Sequence, residues 1–235
     1  MARFAEGKVP VDGAMTPNAR AVRAAVYATF AREGRPPSPA ELASTLALEP
    51  GAVADALREL HDMHALVLTR AGDGVRMAHP FSAWPMGFVL RAGDRFWWGG
   101  CAWDSFGIVA ALRERLEILT VCPSCGRELR YVASHTDAPT EDYVVRLPRP
   151  AAEWWEDVVA TCTNIRTFCS PEHVDAWRES TVSAPGYVTD LGTLWRLALP
   201  WYGDRLDPAW EPHARERNQA LLDEVGLTGP FWALP

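Results

Sequence analysis

Apolar side chains recur every three to four positions in three segments of the first eighty residues, which predicts three amphipathic helices. The first begins at Thr16-Pro17, an N-cap followed by a proline at the first helical position, and ends near Gly34. The second begins at Ser38, which has capping-box spacing to Glu41. The third spans about residues 50–61.

A strand pair is predicted after the third helix. Residues 66–68 and 75–77 are apolar and flank Asp73-Gly74, a dipeptide typical of a tight hairpin turn. Three short helices followed by a hairpin form the pattern of a winged helix, whose usual function is DNA binding. We therefore predict a helical, winged-helix-like domain over residues 1–79.

The charge of this segment argues against DNA binding. Arg58 is nearly alone among basic residues on the third helix, so contacts with phosphates would be few. The whole chain carries a net charge of -7. Nucleic acid is therefore a disfavoured partner, and a small packing domain is the alternative interpretation.

From about residue 80 the pattern changes to short, aromatic-rich segments that predict strands. Strands are expected at 88–90, 95–98, 118–121, 129–132, 142–147 and 165–168. After Gly99-Gly100 we expect a helix that extends through Leu116 and buries one apolar face. The predicted class is α+β, with a mixed β-sheet core and flanking helices over residues 80–180. Residues 181–235 predict a C-terminal extension of two helices and an aromatic terminus.

Composition indicates where the protein is located and in which state its cysteines are. None of the apolar runs in these 235 residues approaches the length that crosses a bilayer, and the first residues lack the apolar stretch of a secretion signal. We therefore expect a cytoplasmic protein with no membrane partner. Five cysteines, an odd number, indicate reduced thiols for chemistry or metal binding rather than a disulfide framework.

Cys101 and Asp104 place a thiol and a carboxylate three positions apart at the predicted start of a helix. At that spacing both side chains can reach one bound atom. The helix dipole and free N–H groups should favour a thiolate, which predicts a lowered pKa for Cys101. Burial beside Trp97, Trp98 and Trp103 would raise the pKa of Asp104, whereas the helix terminus would lower it. The sequence does not decide between these two effects.

Cys122 and Cys125 form a Cys-x-x-Cys turn between two predicted strands, the shape of half a zinc site. A structural zinc site needs four ligands. His135 is a nearby candidate, and Cys162 or Cys169 would have to be recruited. The alternative is a buried thiol pair at a hairpin tip, with Cys169 as a small buried apolar side chain.

The middle of the chain resembles the alkylmercury (organomercurial) lyase family. Cys101 and Asp104 match the Cys-x-x-Asp element that begins a helix in that family. Cys162 matches its second active-site cysteine, roughly sixty residues on and followed by a Trp-containing helix. Cys122 falls where the family carries a further, structural cysteine. The resemblance covers about residues 17–180.

The resemblance implies a lyase that cleaves a carbon–mercury bond by protonolysis. Cys101 and Cys162 would hold the mercury, first as substrate and then as Hg(II) product, because mercury prefers thiolate sulfur. Asp104 would contact the same site, accept a thiol proton and deliver a proton to the carbon. No cofactor is required. Small thiols would take the mercuric ion from the cysteines, or it would pass to a mercuric reductase.

Three features depart from the family pattern. Cys125 and Cys169 are additional thiols, and residues 181–235 form a longer tail that could cover or reshape the site. Two alternatives therefore stay open. One is a relative that acts on a different, metabolite substrate, and the other is a non-catalytic thiol protein that binds metal or regulates.

Overall fold

The computed structural model describes residues 14–235. The first thirteen residues of the predicted N-terminal domain lie outside this range, as does the N-terminal segment used to argue against secretion. Within the described range, no helix is long and apolar enough to cross a membrane.

Three helices open the described chain, as predicted: α1 (Pro17–Glu33), α2 (Pro39–Leu46) and α3 (Pro50–Asp62). Their boundaries follow from local chemistry. Thr16 caps α1 by accepting a hydrogen bond from the Ala19 N–H, and Gly34 ends the helix in the left-handed conformation. Ser38 opens α2 with the predicted capping box.

The main sheet has the strand order β1-β2-β3-β5-β4-β6-β7. Its strands are β1 (Val67–Leu68), β2 (Val75–Ala78), β3 (Phe81–Ser82), β4 (Phe88–Ala92), β5 (Arg95–Gly99), β6 (Leu116–Val121) and β7 (Glu128–Ala133). All its pairs in residues 14–235 are antiparallel. The α+β class is confirmed, but the predicted mixed sheet is wrong, since the described strands pair antiparallel. Because β2 pairs with β3, this sheet runs across residue 80; the domain boundary and the winged-helix assignment stay predictions.

Helix α4 (Ala102–Leu112) connects β5 to β6 and ends earlier than predicted. Arg113 adopts the left-handed conformation after the helix, and Leu116 begins β6 instead of extending α4. Residues 102–111 are all buried, so the helix is covered on every side rather than on one apolar face. The main sheet and a C-terminal helix together enclose it.

A second antiparallel sheet has the order β10-β8-β9, with β8 (Val144–Leu147), β9 (Arg166–Phe168) and β10 (Tyr187–Asp190). The connections contain a 3₁₀ helix (Ala151–Glu153), α5 (Val158–Asn164) and α6 (Pro171–Thr181). The sequence interpretation missed three of these elements, namely the 3₁₀ helix, α5 and β10. Helix α5 is rich in β-branched residues that lower helix propensity, and β10 was assigned to the following helix.

The tail supplies the two predicted helices, α7 (Leu191–Tyr202) and α8 (Arg215–Glu224). Helix α7 packs along α4, and Gly107 of α4 makes the close approach possible. A Cβ atom at Gly107 would lie 2.7 Å from Cδ2 of Tyr202 and 2.6 Å from Cβ of Pro80. The end of α7 is thereby held against the helix that begins at Cys101.

Candidate functional site

The structure brings Cys101, Asp104 and Cys162 into one cavity of about 240 Å³. Cys101 is the N-cap of α4, and its Sγ accepts a hydrogen bond from the Asp104 N–H over 3.3 Å. Cys162 comes from α5. The N–H of Ala102 donates to the carbonyl of Ile165 over 3.1 Å, which ties the start of α4 to the end of α5. All three candidate side chains are buried.

His79 joins this group, although no local sequence pattern pointed to it. It follows β2, and its Nε2 lies 3.5 Å from Sγ of Cys162. The ligand atoms of His79, Asp104 and Cys162 all lie within 4.8 Å of one another. The cavity therefore contains an imidazole in contact with one of the two thiols.

Tyr202, at the end of α7, is a second residue that the sequence interpretation missed. Its hydroxyl donates a hydrogen bond to Oδ1 of Asp104 over 3.0 Å. The other oxygen, Oδ2, is buried and has no hydrogen-bond partner among residues 14–235. A Cβ atom at Gly100 would lie 2.5 Å from that oxygen, so the carboxyl occupies space that only glycine leaves free.

Aromatic side chains form much of the cavity wall: Trp103, Trp154, Trp155, Trp201 and Trp210. The expectation for Trp97 and Trp98 was wrong, because the cavity lining, as far as the chain is described, includes neither. Trp97 instead donates its indole N–H to the carbonyl of Phe30 over 3.0 Å and packs against α1.

Burial and the contact between the two thiols control their ionisation. Burial raises the pKa of Cys101, and the negative charge of Asp104 adds to this effect. The neighbouring Cys162 thiol and the Asp104 N–H favour the Cys101 thiolate but offset only part of the increase. The predicted lowering of the Cys101 pKa is therefore wrong. The interaction with Cys101, together with burial, holds the pKa of Cys162 well above its usual range.

The sequence left open whether burial or the helix terminus determines the pKa of Asp104. In the structure burial has the larger effect, and it raises this pKa. The positive charge of His79 and the hydrogen bond from Tyr202 act in the opposite direction and do not offset it. Burial also lowers the pKa of His79. The cavity thus favours a carboxylic acid, neutral thiols and a neutral imidazole, a set of groups that can exchange protons among themselves.

Cys122 and Cys125 lie elsewhere, in the turn between β6 and β7. Cys122 is buried but Cys125 is exposed, so the predicted alternative of a buried thiol pair is wrong. Cys169 and His173 approach the same turn from the start of α6. His135 is not a member of this group. The spacing Cys169-x-x-x-His173 was the sequence signal that could have identified the missing ligand.

Residues 81–203, more than half of the chain, match the family model described as "MerB: Alkylmercury lyase". The match begins after the predicted N-terminal domain and extends through α7, beyond the predicted limit near residue 180. Cys101, Asp104 and Cys162, which the sequence analysis compared with the active site of this family, all lie within the matched residues.

The fold is similar to that of a solved structure described as "Crystal structure of the mercury-bound form of MerB2". The TM-score is 0.60 and the sequence identity is 20%, over 85% of this chain and 91% of the other. At this identity the similarity is one of fold. No curated protein sequence gives a significant match to the chain.

Proposed function

Because this chain belongs to the alkylmercury lyase family, we propose that it cleaves the carbon–mercury bond of organomercurials by protonolysis. The products are R–H and Hg(II) bound to thiols. The observation that carries the proposal is the convergence of the buried side chains of Cys101, Cys162 and Asp104 in one cavity. The similar MerB2 structure is described as mercury-bound, which supports mercury as the atom that these groups hold.

Mercury capture requires both thiols as thiolates, because mercury is a soft metal that binds thiolate sulfur. Cys101 is the better first nucleophile, since the Asp104 N–H donates to its sulfur. It displaces the small-thiol ligand of R–Hg–SR′, and its proton leaves with R′SH. Cys162 then becomes the second ligand. Its Sγ lies 3.5 Å from Nε2 of His79, a neutral acceptor that helps to remove the proton.

Asp104 is suited to deliver the proton to carbon. Its raised pKa keeps the carboxyl protonated closer to neutral pH than an exposed aspartate would be. Tyr202 holds Oδ1, which leaves Oδ2 to carry the proton. When Asp104 is ionised, Oδ2 receives the proton of Cys162 by way of His79, and the carboxylic acid that forms, which the raised pKa favours, passes that proton on. As the carbon–mercury bond breaks, its electron pair takes that proton and forms R–H. The mercuric ion stays on Cys101 and Cys162.

The aromatic wall supplies room and an apolar surface for the organic group. A cavity of about 150 Å³ is known to hold benzene in another protein, and this one measures about 240 Å³. A phenyl or small alkyl group bound to mercury therefore fits its size. Exclusion of water would also strengthen the electrostatic interactions among the thiols, Asp104 and His79.

Release of the product depends on competing thiols. Small thiols exchange with Cys101 and Cys162 and carry the mercuric ion away, with a mercuric reductase as the proposed final acceptor. Reduced thiols are most abundant in the cytoplasm, which is the location that this chemistry favours.

The test is release of benzene from phenylmercury. Reduced protein is incubated without oxygen with phenylmercury and excess small thiol, and benzene is measured by gas chromatography. We expect several turnovers per chain, and their loss in Cys101→Ser and Asp104→Ala. The matched control is Asp94→Ala, which removes an exposed carboxylate from the β4–β5 turn. A folded, mercury-binding protein that releases no benzene would refute the proposal.

Arg205 favours a second candidate, a relative that acts on an anionic metabolite. Its guanidinium belongs to the cavity wall and lies 4.4 Å from the centre of the Trp210 ring. Its Nε is buried and lacks a hydrogen-bond partner within the described chain. A substrate carboxylate or phosphate would satisfy that nitrogen. Calorimetric binding of such anions, lost in Arg205→Met, together with no benzene release would support this candidate.

A further inference from the structure

A second group of metal-ligand side chains lies at the tip of the β6–β7 hairpin, separate from the cavity. It consists of Cys122, Cys125, Cys169 and His173, whose ligand atoms all lie within 4.8 Å of one another. The Sγ atoms of Cys125 and Cys169 are 3.7 Å apart. Sγ of Cys122 lies 3.6 Å from Nδ1 of His173. We call these four residues the hairpin cluster.

These separations match the edges of a zinc coordination tetrahedron. With zinc–sulfur and zinc–nitrogen distances of about 2.3 and 2.0 Å, a tetrahedral ion places its ligand atoms roughly 3.5 to 3.8 Å apart. A disulfide would instead require about 2.05 Å between the sulfurs of Cys125 and Cys169. Both cysteines are free thiols. The spacing thus fits ligands around a shared cation.

Local backbone structure brings the two halves of the hairpin cluster together. The turn that carries Cys122 and Cys125 is closed by the Gly126 N–H, which donates to the Cys122 carbonyl over 3.0 Å. Gly126 has a φ of 73°, which glycine adopts without strain. On the other side, Cys169 immediately precedes the Ser170 N-cap of α6, and His173 lies in the first turn of that helix.

We propose that the hairpin cluster binds one Zn²⁺ ion as a closed structural site with four protein ligands. The set of three thiolates and one imidazole is typical of such sites. With every coordination position taken by protein, this ion does not take part in the lyase reaction, and the proposal is independent of that activity.

Zinc would stabilise a part of the fold that has little core of its own. The buried side chains beside the hairpin cluster are Leu129, Phe168 and Val174, which together with Cys122 form a group separate from the main core. Burial of so few apolar side chains contributes little to the free energy of folding. In small domains a bound metal ion commonly supplies the additional stability. The ion would link the β6–β7 hairpin to β9 and α6. Because Cys162 lies just before β9, it would also help to position that thiol.

The first test is metal content. Protein purified without chelators is analysed by plasma mass spectrometry, and we expect about one zinc per chain. Cys125→Ser and His173→Ala should lower zinc at least tenfold. The double variant Cys101→Ser/Cys162→Ser changes only the cavity and should keep it. Loss of zinc in that double variant alone would place the metal in the cavity and overturn the proposal.

A second test uses the unaltered chain, so it does not depend on how variants fold. The zinc-free protein, reduced under nitrogen, is titrated with Co²⁺. We expect visible d–d absorption and thiolate charge-transfer bands of a tetrahedral site, saturating at about one equivalent. Absence of these bands together with absence of zinc would overturn the proposal. So would a mass two units lower that indicates a Cys125–Cys169 disulfide in place of a metal.

Discussion

Tyr202 donates its hydroxyl hydrogen to Oδ1 of Asp104 over 3.0 Å, although 98 positions separate the two residues. Packing of α7 against α4 creates this contact, and Gly107 leaves the space for the tyrosine ring. The contact fixes one carboxyl oxygen and leaves the other, Oδ2, without a partner in the described residues. The C-terminal tail thus reaches the reacting carboxyl directly and shapes the site.

Replacing Tyr202 with phenylalanine should impair proton delivery without removing any predicted mercury ligand. Loss of one hydrogen bond to a buried carboxyl corresponds to about 1–1.5 kcal/mol, or roughly tenfold in kcat. Because that hydrogen bond lowers the Asp104 pKa, its removal should shift the alkaline limb of the kcat profile to higher pH. The measurement is kcat for benzene release as a function of pH.

Tyr187→Phe provides the matched control, because Tyr187 lies in β10 against Phe231 and Trp232 rather than in the cavity. It should leave the profile unchanged. If Tyr202→Phe also leaves both kcat and its pH dependence unchanged, Tyr202 does not position Asp104.

Gly100→Ala should inactivate the protein while leaving it folded. The new Cβ would lie 2.5 Å from Oδ2 of Asp104 and 2.5 Å from Cε of Met77. The methionine end can move, whereas the carboxyl must leave the position from which it delivers the proton. We expect kcat to fall by about a hundredfold, since a misplacement of 1 Å can have that effect.

Gly51→Ala is the control for the Gly100 substitution. In the described structure a Cβ at this position in α3 would meet no heavy atom within 4 Å apart from neighbouring backbone of the helix, and alanine favours the helix by roughly 0.5–1 kcal/mol. Its activity should match that of the unaltered chain, and its unfolding temperature should be equal or higher. Full activity in Gly100→Ala would contradict the assigned position of the Asp104 carboxyl.

Asp104→Asn should remove activity yet stabilise the fold at alkaline pH. The pKa of Asp104 is higher in the folded protein than in the unfolded chain. Ionisation of Asp104 therefore lowers the free energy of unfolding as pH rises through the raised pKa. Asparagine does not ionise. The variant should therefore unfold a few degrees higher at about pH 8, and the difference should vanish below about pH 4. Calorimetric scans across this range test the prediction; a lower unfolding temperature for Asp104→Asn at alkaline pH would contradict it.

His79→Gln should slow mercury capture and remove the acidic limb of the activity profile. The buried imidazole has a lowered pKa and contacts Cys162, so it accepts a proton at neutral pH and stops doing so once protonated at lower pH. Glutamine cannot accept the proton, and we expect kcat/KM to fall by about a hundredfold. His61→Gln, in α3 outside the cavity, is the control. Profiles of equal shape for His79→Gln and the unaltered chain would exclude this role.

Much of the fold could be predicted because local sequence determines it. Thr16, Ser38 and Gly34 mark helix ends through their own hydrogen bonds and backbone conformations. The start of α4 at Cys101 followed from the glycines before it. The end of α4 did not, because Leu116 keeps helical spacing to Leu112 across the charged residues 113–115, although it begins β6.

The candidate site likewise contains some residues that could be predicted from the sequence and others that could not. Cys101 and Asp104 are neighbours in sequence and could be recognised together, and Cys162 was found through the family resemblance. His79 reaches Cys162, and Tyr202 reaches Asp104, only through packing of distant elements, which no local pattern contains. The pKa of Cys101 was predicted wrongly because the helix N-terminus is visible in the sequence, whereas the extent of burial is not.

The most direct test of the account is the origin of the hydrogen in the hydrocarbon product. The reduced protein is exchanged into D₂O and given phenylmercury with excess small thiol, and the benzene is analysed by mass spectrometry. Proton delivery by the exchangeable Asp104 carboxyl predicts benzene with a single deuterium, about one molecule for each mercuric ion formed. Unlabelled benzene, or none from protein that binds mercury, would contradict protonolysis at this site.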